Sequence, residues 1–82
     1  MDETAARLER IFQEIFWTDP GPVSGKTREN TASWDSLAHL NLVLSIEQEF
    51  GIALADDEVV DMTAFGVSLA IVRTKLKTRS GC

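Results

Sequence analysis

The sequence predicts a small all-α protein, a four-helix bundle of three longer helices plus one short helix, with a long first loop. Two observations predict this fold class. Apolar residues recur at helical spacing in three separate segments, and no segment alternates between apolar and polar residues as a strand does. Because the chain has only 82 residues, we expect a single domain over residues 1–82, with its core at about 2–76.

The first helix is predicted over residues 4–17. Five apolar residues there follow the pattern that places one face of a helix on a core, namely Leu8, Ile11, Phe12, Ile15 and Phe16. The Asp-Pro-Gly-Pro sequence at 19–22 should end this helix, because proline lacks an amide donor and disfavours helix in the residue before it. Residues 18–34 have little periodicity and predict a long loop, with room for a short helical turn.

The other three helices are indicated by residues at their ends. A helix over 36–50 should begin after Asp35, a preferred N-cap, and end at Gly51. A short helix at about 56–60 has acids in its first turn, where the helix dipole favours them. The last helix should follow an N-cap at Thr63 and run to about residue 76. Its inward face is predicted to hold Val67, Ala70, Ile71 and Thr74.

The helix predicted over 36–50 is apolar on two opposite faces. At about 100° per residue, one stripe holds Leu37, Leu40, Asn41, Leu44 and Gln48, and the opposite stripe holds Leu42, Val43, Ile46 and Phe50. A surface helix of a small bundle needs only one apolar face for its core. The second stripe is either buried by the rest of the domain or exposed for a partner. Because so short a chain can hardly bury both, we expect the leucine stripe to contact partners.

Charge narrows the class of partner. The net charge is −5, and the segment from Glu29 to Val72 contains eight acids and no Lys or Arg. Such a segment repels nucleic acid and anionic membranes and favours basic protein surfaces. No apolar run approaches a membrane span, and the first residues lack the features of a signal peptide. We therefore expect a cytoplasmic monomer that binds neither nucleic acid nor membrane. One histidine and one cysteine without ligand spacing predict no metal site.

One segment carries a family resemblance. The sequence Trp34-Asp35-Ser36-Leu37-Ala38-His39-Leu40 resembles the phosphopantetheine attachment motif of acyl carrier proteins, whose core is Asp-Ser-Leu. Residues 42–52 resemble the second helix of that family and its exit, and residues 57–63 resemble its short third helix. The resemblance extends over about residues 2–76. It implies a bundle in which Ser36, flanked by Asp35 and Leu37, carries a 4'-phosphopantetheine arm from coenzyme A.

The resemblance also implies partners. A phosphopantetheinyl transferase would modify Ser36, and acyl-loading and acyl-processing enzymes with basic docking surfaces would bind the chain. The residues expected to contact them are Leu37, Leu40, Asn41, Leu44, Glu47 and Gln48. The chain itself is expected not to be an enzyme, because Ser36 lacks an oriented base and an oxyanion site. His39 falls on the stripe that faces the core.

Two departures from the family pattern affect the choice of pathway. Carriers of fatty acid synthesis usually place acids two and five residues after the serine, where this chain has Ala38 and Asn41. Trp34 replaces a small or flexible residue, and it either packs over the loop or meets a partner. We therefore expect a stand-alone carrier of a specialised lipid, polyketide or other pathway. The alternatives are an aminoacyl or peptidyl carrier, and an unmodified interaction module that binds through Leu37, Leu40 and Leu44.

Overall fold

A computed structural model describes residues 3–17 and 22–80 of the chain. In these residues four α-helices follow one another: α1 (Glu3–Ile15), α2 (Ser36–Phe50), α3 (Asp56–Asp61) and α4 (Phe65–Ser80). A 3₁₀ turn, Val23–Gly25, lies in the first loop, and no strand occurs in the described ranges. The all-α bundle with one short helix is therefore confirmed. Within the same ranges, no helix is both long and apolar enough to cross a membrane.

The face of α1 that the sequence predicts to be apolar packs into the core. Leu8, Ile11 and Phe12 are buried, and so is Phe16, whose amide still donates to the Phe12 carbonyl at 2.8 Å. Ile15 is half-buried. The helix ends two residues before the predicted boundary, and the predicted stop at 19–21 lies outside the described residues.

Both predicted ends of α2 are confirmed. One Asp35 carboxylate oxygen accepts the Ala38 amide at 2.9 Å, which makes Asp35 the N-cap. Gly51 follows the last turn in the left-handed conformation, with φ of 63°, and its amide donates to the Glu47 carbonyl. Both faces also lie as predicted. The inner stripe of Leu42, Val43, Ile46 and Phe50 is buried, and the leucines of the outer stripe are exposed.

Helix α4 starts one residue later than predicted. The helix begins at Phe65 and continues to Ser80, so Thr63 stands too early in the chain to cap it. The first turn is instead held by the first loop, where the Lys26 carbonyl accepts the Phe65 amide at 2.9 Å. The Thr63 carbonyl accepts the Arg28 amide at 2.9 Å in the same short bridge. The start of this helix therefore depends on a contact that is distant in sequence.

The predicted inward face of α4 is also wrong for three of its four residues. Val67, Ala70 and Thr74 are exposed, and Ile71 is half-buried. The stripe that is buried begins at the first residue of the helix and holds Phe65, Ser68 and Val72, with Leu69 and Leu76 at its edges. This stripe was not predicted from the sequence because Ser68 is polar. In the fold its hydroxyl donates to the Ala64 carbonyl at 2.9 Å, so the serine is buried with its hydrogen bond satisfied.

The loop before α2 is anchored by an aromatic cluster. Trp34 is 3% exposed and packs against Phe12 and Phe16, with ring centroids 5.4 and 5.0 Å apart. Phe65 brings the start of α4 to the same cluster, 5.0 Å from the Phe12 ring. Of the two roles considered for Trp34, the structure shows packing within the chain, against the aromatic rings of Phe12 and Phe16. Because Trp34 lies two residues before Ser36, the cluster also holds the chain that enters α2 against α1.

Candidate functional site

Ser36 is the first residue of α2, and its side chain is exposed. The cap of the helix is supplied by the carboxylate of Asp35, so the serine hydroxyl is not needed for capping. None of the described residues forms a hydrogen bond with this hydroxyl. The first amides of a helix lack partners within the helix and carry the positive end of its dipole. The site is therefore a hydroxyl that is accessible from solvent and placed where a phosphodiester is electrostatically favoured.

A chain of hydrogen bonds crosses the protein one turn below Ser36. The Trp34 Nε1–H donates to His39 Nδ1 at 2.9 Å. Because Nδ1 accepts, we assign the ring proton to Nε2, which then donates to the Val59 carbonyl at 2.7 Å. His39 is 9% exposed, and its ring stacks on Trp34 at 6.1 Å between centroids. This chain of contacts ties the loop, α2 and α3 together.

The same contacts decide what His39 can do. Both of its ring nitrogens are engaged, one by Trp34 and the other by the Val59 carbonyl. A general base for Ser36 needs a nitrogen within hydrogen-bond reach of the serine proton. His39 therefore acts in this structure as a link between elements, on the buried side of α2 where the sequence places it.

The outer stripe of α2 forms an exposed ridge next to Ser36. We call Leu37, Leu40 and Leu44 the leucine ridge; their exposed fractions are 68%, 54% and 47%. Asn41 and Gln48 are exposed beside it. On α3, Val60 is 71% exposed, a residue that the sequence analysis did not single out. Three leucines this exposed on one stripe of a helix are typical of an interaction surface.

Glu47, also expected among the partner contacts, has a role within the chain. Its Oε2 atom accepts the Leu54 amide at 2.8 Å, and the residue is half-buried. Its carboxylate thus holds the segment that connects α2 to α3. The sequence contains no local signal for this contact, because the two residues belong to different elements.

A groove lies between the end of α1 and the outer side of α2. It encloses about 500 Å³, and we call it the α1–α2 groove. Ser33 and Asp35 border it next to Ser36. Its other lining residues are Glu14, Ile15, Leu37, Ala38, Asn41, Leu44, Ser45 and Gln48. Nothing in the sequence pattern predicted a contribution from α1 to this surface.

The charges of the site are distributed unevenly. From Ser36 to Ile46, α2 has no Asp, Glu, Lys or Arg, whereas Asp56, Asp57 and Asp61 are exposed on α3. The Lys75 ammonium lies 2.8 Å from Glu58 and lowers the pKa of that carboxyl, and the hydrogen bond from the Ala55 amide lowers it further. The ridge itself therefore has no charged residue, and three exposed acids are on α3.

The described residues contain no group of three or more His, Cys, Asp or Glu side chains that could hold a metal ion. No protein-family model matches the chain. The residues around Ser36 fit a phosphopantetheine arm, because the hydroxyl is exposed, the cap is supplied by Asp35, and the adjoining surface is apolar and open.

Proposed function

We propose that the chain is a carrier protein, modified on Ser36 with 4'-phosphopantetheine. The observation that carries the proposal is the exposed Ser36 hydroxyl, at the first residue of α2 and within an Asp-Ser-Leu motif whose aspartate already caps the helix. The serine oxygen attacks the phosphorus that bears the pantetheine in coenzyme A. A phosphodiester forms, 3',5'-adenosine bisphosphate leaves, and the hydroxyl proton passes to a base of the transferase. The arm then holds acyl groups as thioesters.

In this proposal the chain is a substrate and a carrier, and other proteins catalyse each step. The one histidine of the chain, His39, has both ring nitrogens engaged, by Trp34 and by the Val59 carbonyl. A separate phosphopantetheinyl transferase therefore supplies the base for the attachment. Acyl-loading and acyl-processing enzymes would dock on the leucine ridge, and the exposed acids of α3 would favour partners with basic surfaces. We place these reactions in the cytoplasm.

Intact-mass spectrometry tests the proposal. The full chain is incubated with coenzyme A, Mg²⁺ and a broad-specificity phosphopantetheinyl transferase. We expect one phosphopantetheinyl group on the wild type and on Ser45→Ala, a control on the same helix, and none on Ser36→Ala. An unmodified wild type with each of several transferases would contradict the proposal.

The cargo belongs to a specialised pathway in our proposal. Carriers of fatty acid synthesis usually have acids two and five residues after the serine. At those positions this chain has Ala38, which is half-buried, and Asn41, which is exposed. Acyl and aminoacyl units both fit a thioester arm. Loading assays separate the pathways: poor malonyl loading and elongation by fatty acid synthase enzymes is expected, and efficient elongation would contradict a specialised role.

The exposed leucine ridge favours one second candidate, an interaction module that works without modification. Three leucines that are about half-exposed or more would suit a partner helix or groove even if Ser36 stayed unmodified. The two functions predict different results for Ser36→Ala. A carrier loses all transfer of acyl groups in this variant, whereas a module keeps its full affinity for its partner.

A further inference from the structure

The α1–α2 groove reaches the site from a helix outside the attachment motif. Glu14 and Ile15, at the end of α1, line it together with Leu37, Asn41 and Leu44 of α2. Asp35 borders the groove and directly precedes Ser36 in the chain. Any enzyme that acts on Ser36 must approach the first turn of α2. Such an enzyme therefore comes close to the end of α1 as well.

The lining of the groove defines the chemistry of its occupant. Ile15, Leu37 and Leu44 are its apolar residues, and Asn41 and Gln48 offer amide donors and acceptors. Both of its charged residues, Glu14 and Asp35, are acidic and exposed, and its described lining contains no lysine or arginine. The complementary occupant is a protein segment with an apolar side chain next to a lysine or arginine.

The arm on Ser36 is not the natural occupant of this groove. Five residues separate Ser36 from Asn41, which turns their side chains about 140° apart around α2. Ser36 is absent from the lining, and Leu40, which is also absent from it, lies between the direction of Ser36 and that of the lining residue Leu44. The arm thus leaves α2 on the far side of the ridge. A partner can fill the groove while the arm is being attached or used.

We infer that the α1–α2 groove is a docking site for the phosphopantetheinyl transferase, which inserts an apolar side chain and pairs a basic one with Glu14. Glu14 and Ile15 are then specificity-determining residues on α1. This inference rests on the proposed function, because it names how the transferase recognises the chain. In this docking, Glu14 of α1 makes an ionic contact that the leucine ridge, which has no charged residue, cannot make.

Steady-state kinetics of the modification of Ser36 test this inference on the full chain. The variants are Glu14→Lys and Ile15→Glu. Their controls make the same changes of charge and polarity at exposed positions outside the groove, Glu29→Lys in the first loop and Val67→Glu on α4. We expect kcat/KM to fall about tenfold in both groove variants, mainly through KM, and to stay within about twofold in both controls. Added salt should raise KM for the wild type more than for Glu14→Lys.

The outcomes separate the two proposals. If the wild type is not modified at all, the proposed function fails before the groove is tested. If the wild type is modified and the groove variants match their controls, the docking site is overturned while the carrier function stands. Circular dichroism verifies folding, and if the half-buried Ile15→Glu variant does not fold, the exposed Glu14→Lys decides.

A second measurement checks that the arm leaves the groove free. The side-chain amide signals of Asn41 and Gln48 are compared by NMR before and after modification. Unchanged signals are expected, because the arm leaves on the opposite side of the ridge. Large shifts confined to these amides would place the arm in the groove and overturn the docking site.

Discussion

His39 connects three elements through two hydrogen bonds, to the Trp34 indole and to the Val59 carbonyl. The ring can serve both because one nitrogen accepts while the other donates. From sequence it was possible to place His39 on the buried side of α2, since helical periodicity depends only on neighbours in the chain. Its partners could not be predicted, because Val59 lies 20 residues away and nothing local indicates which carbonyl faces the ring.

Replacing His39 with Phe should destabilise the protein strongly. The substitution leaves the Trp34 N–H buried without an acceptor, and it removes one of the two donors to the Val59 carbonyl, which keeps the Met62 amide at 3.3 Å. Each unsatisfied buried group costs about 1–3 kcal/mol. We expect the free energy of unfolding in urea to fall by roughly 2–4 kcal/mol. His39→Gln, which keeps one donor and one acceptor, should lose clearly less. Equal losses in the two variants would show that shape rather than hydrogen bonding matters at this position.

At the scale of elements, the helices differ in how much of each could be predicted. The ends of α2 are set by adjacent residues, Asp35 and Gly51, so the sequence alone predicted both boundaries correctly. The start of α4 is set by the Lys26 carbonyl in the first loop, and its buried face includes Ser68. The Lys26 carbonyl is distant in sequence and Ser68 is polar. The sequence pattern therefore predicted neither the start of α4 nor its buried face correctly. The ion pair between Arg7 Nε and Glu49 Oε2, 2.6 Å apart, joins α1 to the last turn of α2. It was not predicted either, because the two residues are 42 positions apart in the chain.

The contact between α3 and α4 should make stability depend on pH. Lys75 and the Ala55 amide lower the pKa of Glu58 below its ordinary value of 4.5. A carboxyl whose pKa is lower in the folded state stabilises the fold above its unfolded pKa. That contribution is lost as the pH falls through the folded pKa. Because both side chains are more than a quarter exposed, the effect is modest.

Glu58→Gln tests this dependence. The variant should have a lower free energy of unfolding than the wild type at pH 7, and the difference should shrink as the pH falls below about 4.5. Urea unfolding at a series of pH values measures it. Glu29→Gln, at an exposed position of the first loop outside any helix, serves as the control and should change little. A difference between Glu58→Gln and wild type that stays constant down to pH 3 would contradict the assignment.

Over the whole molecule, the helices are held by different kinds of contact. The buried apolar residues come from α1, the first loop, α2 and α4, with Met62 after α3, whereas α3 has no buried residue of its own. Its links to the bundle include the partly buried Val59, the hydrogen bond of the Val59 carbonyl with His39, and the ion pair between Glu58 and Lys75. Elements with little buried apolar surface open at a lower free energy than the core does. Helix α3 is therefore expected to detach while the other helices stay packed.

Native-state hydrogen exchange measured by NMR can detect this detachment. The Val59 amide, which donates to the Ala55 carbonyl within α3, should exchange at a lower opening free energy than the amide of Ile46 in the buried stripe of α2. In His39→Gln the hydrogen bond to the Val59 carbonyl is weakened. Protection at Val59 should then fall more than the global stability does. Equal opening free energies for Val59 and Ile46 in the wild type would show that α3 unfolds only with the whole bundle. Such a result would mean that the polar links from His39 and Lys75 hold α3 as firmly as apolar burial holds α2.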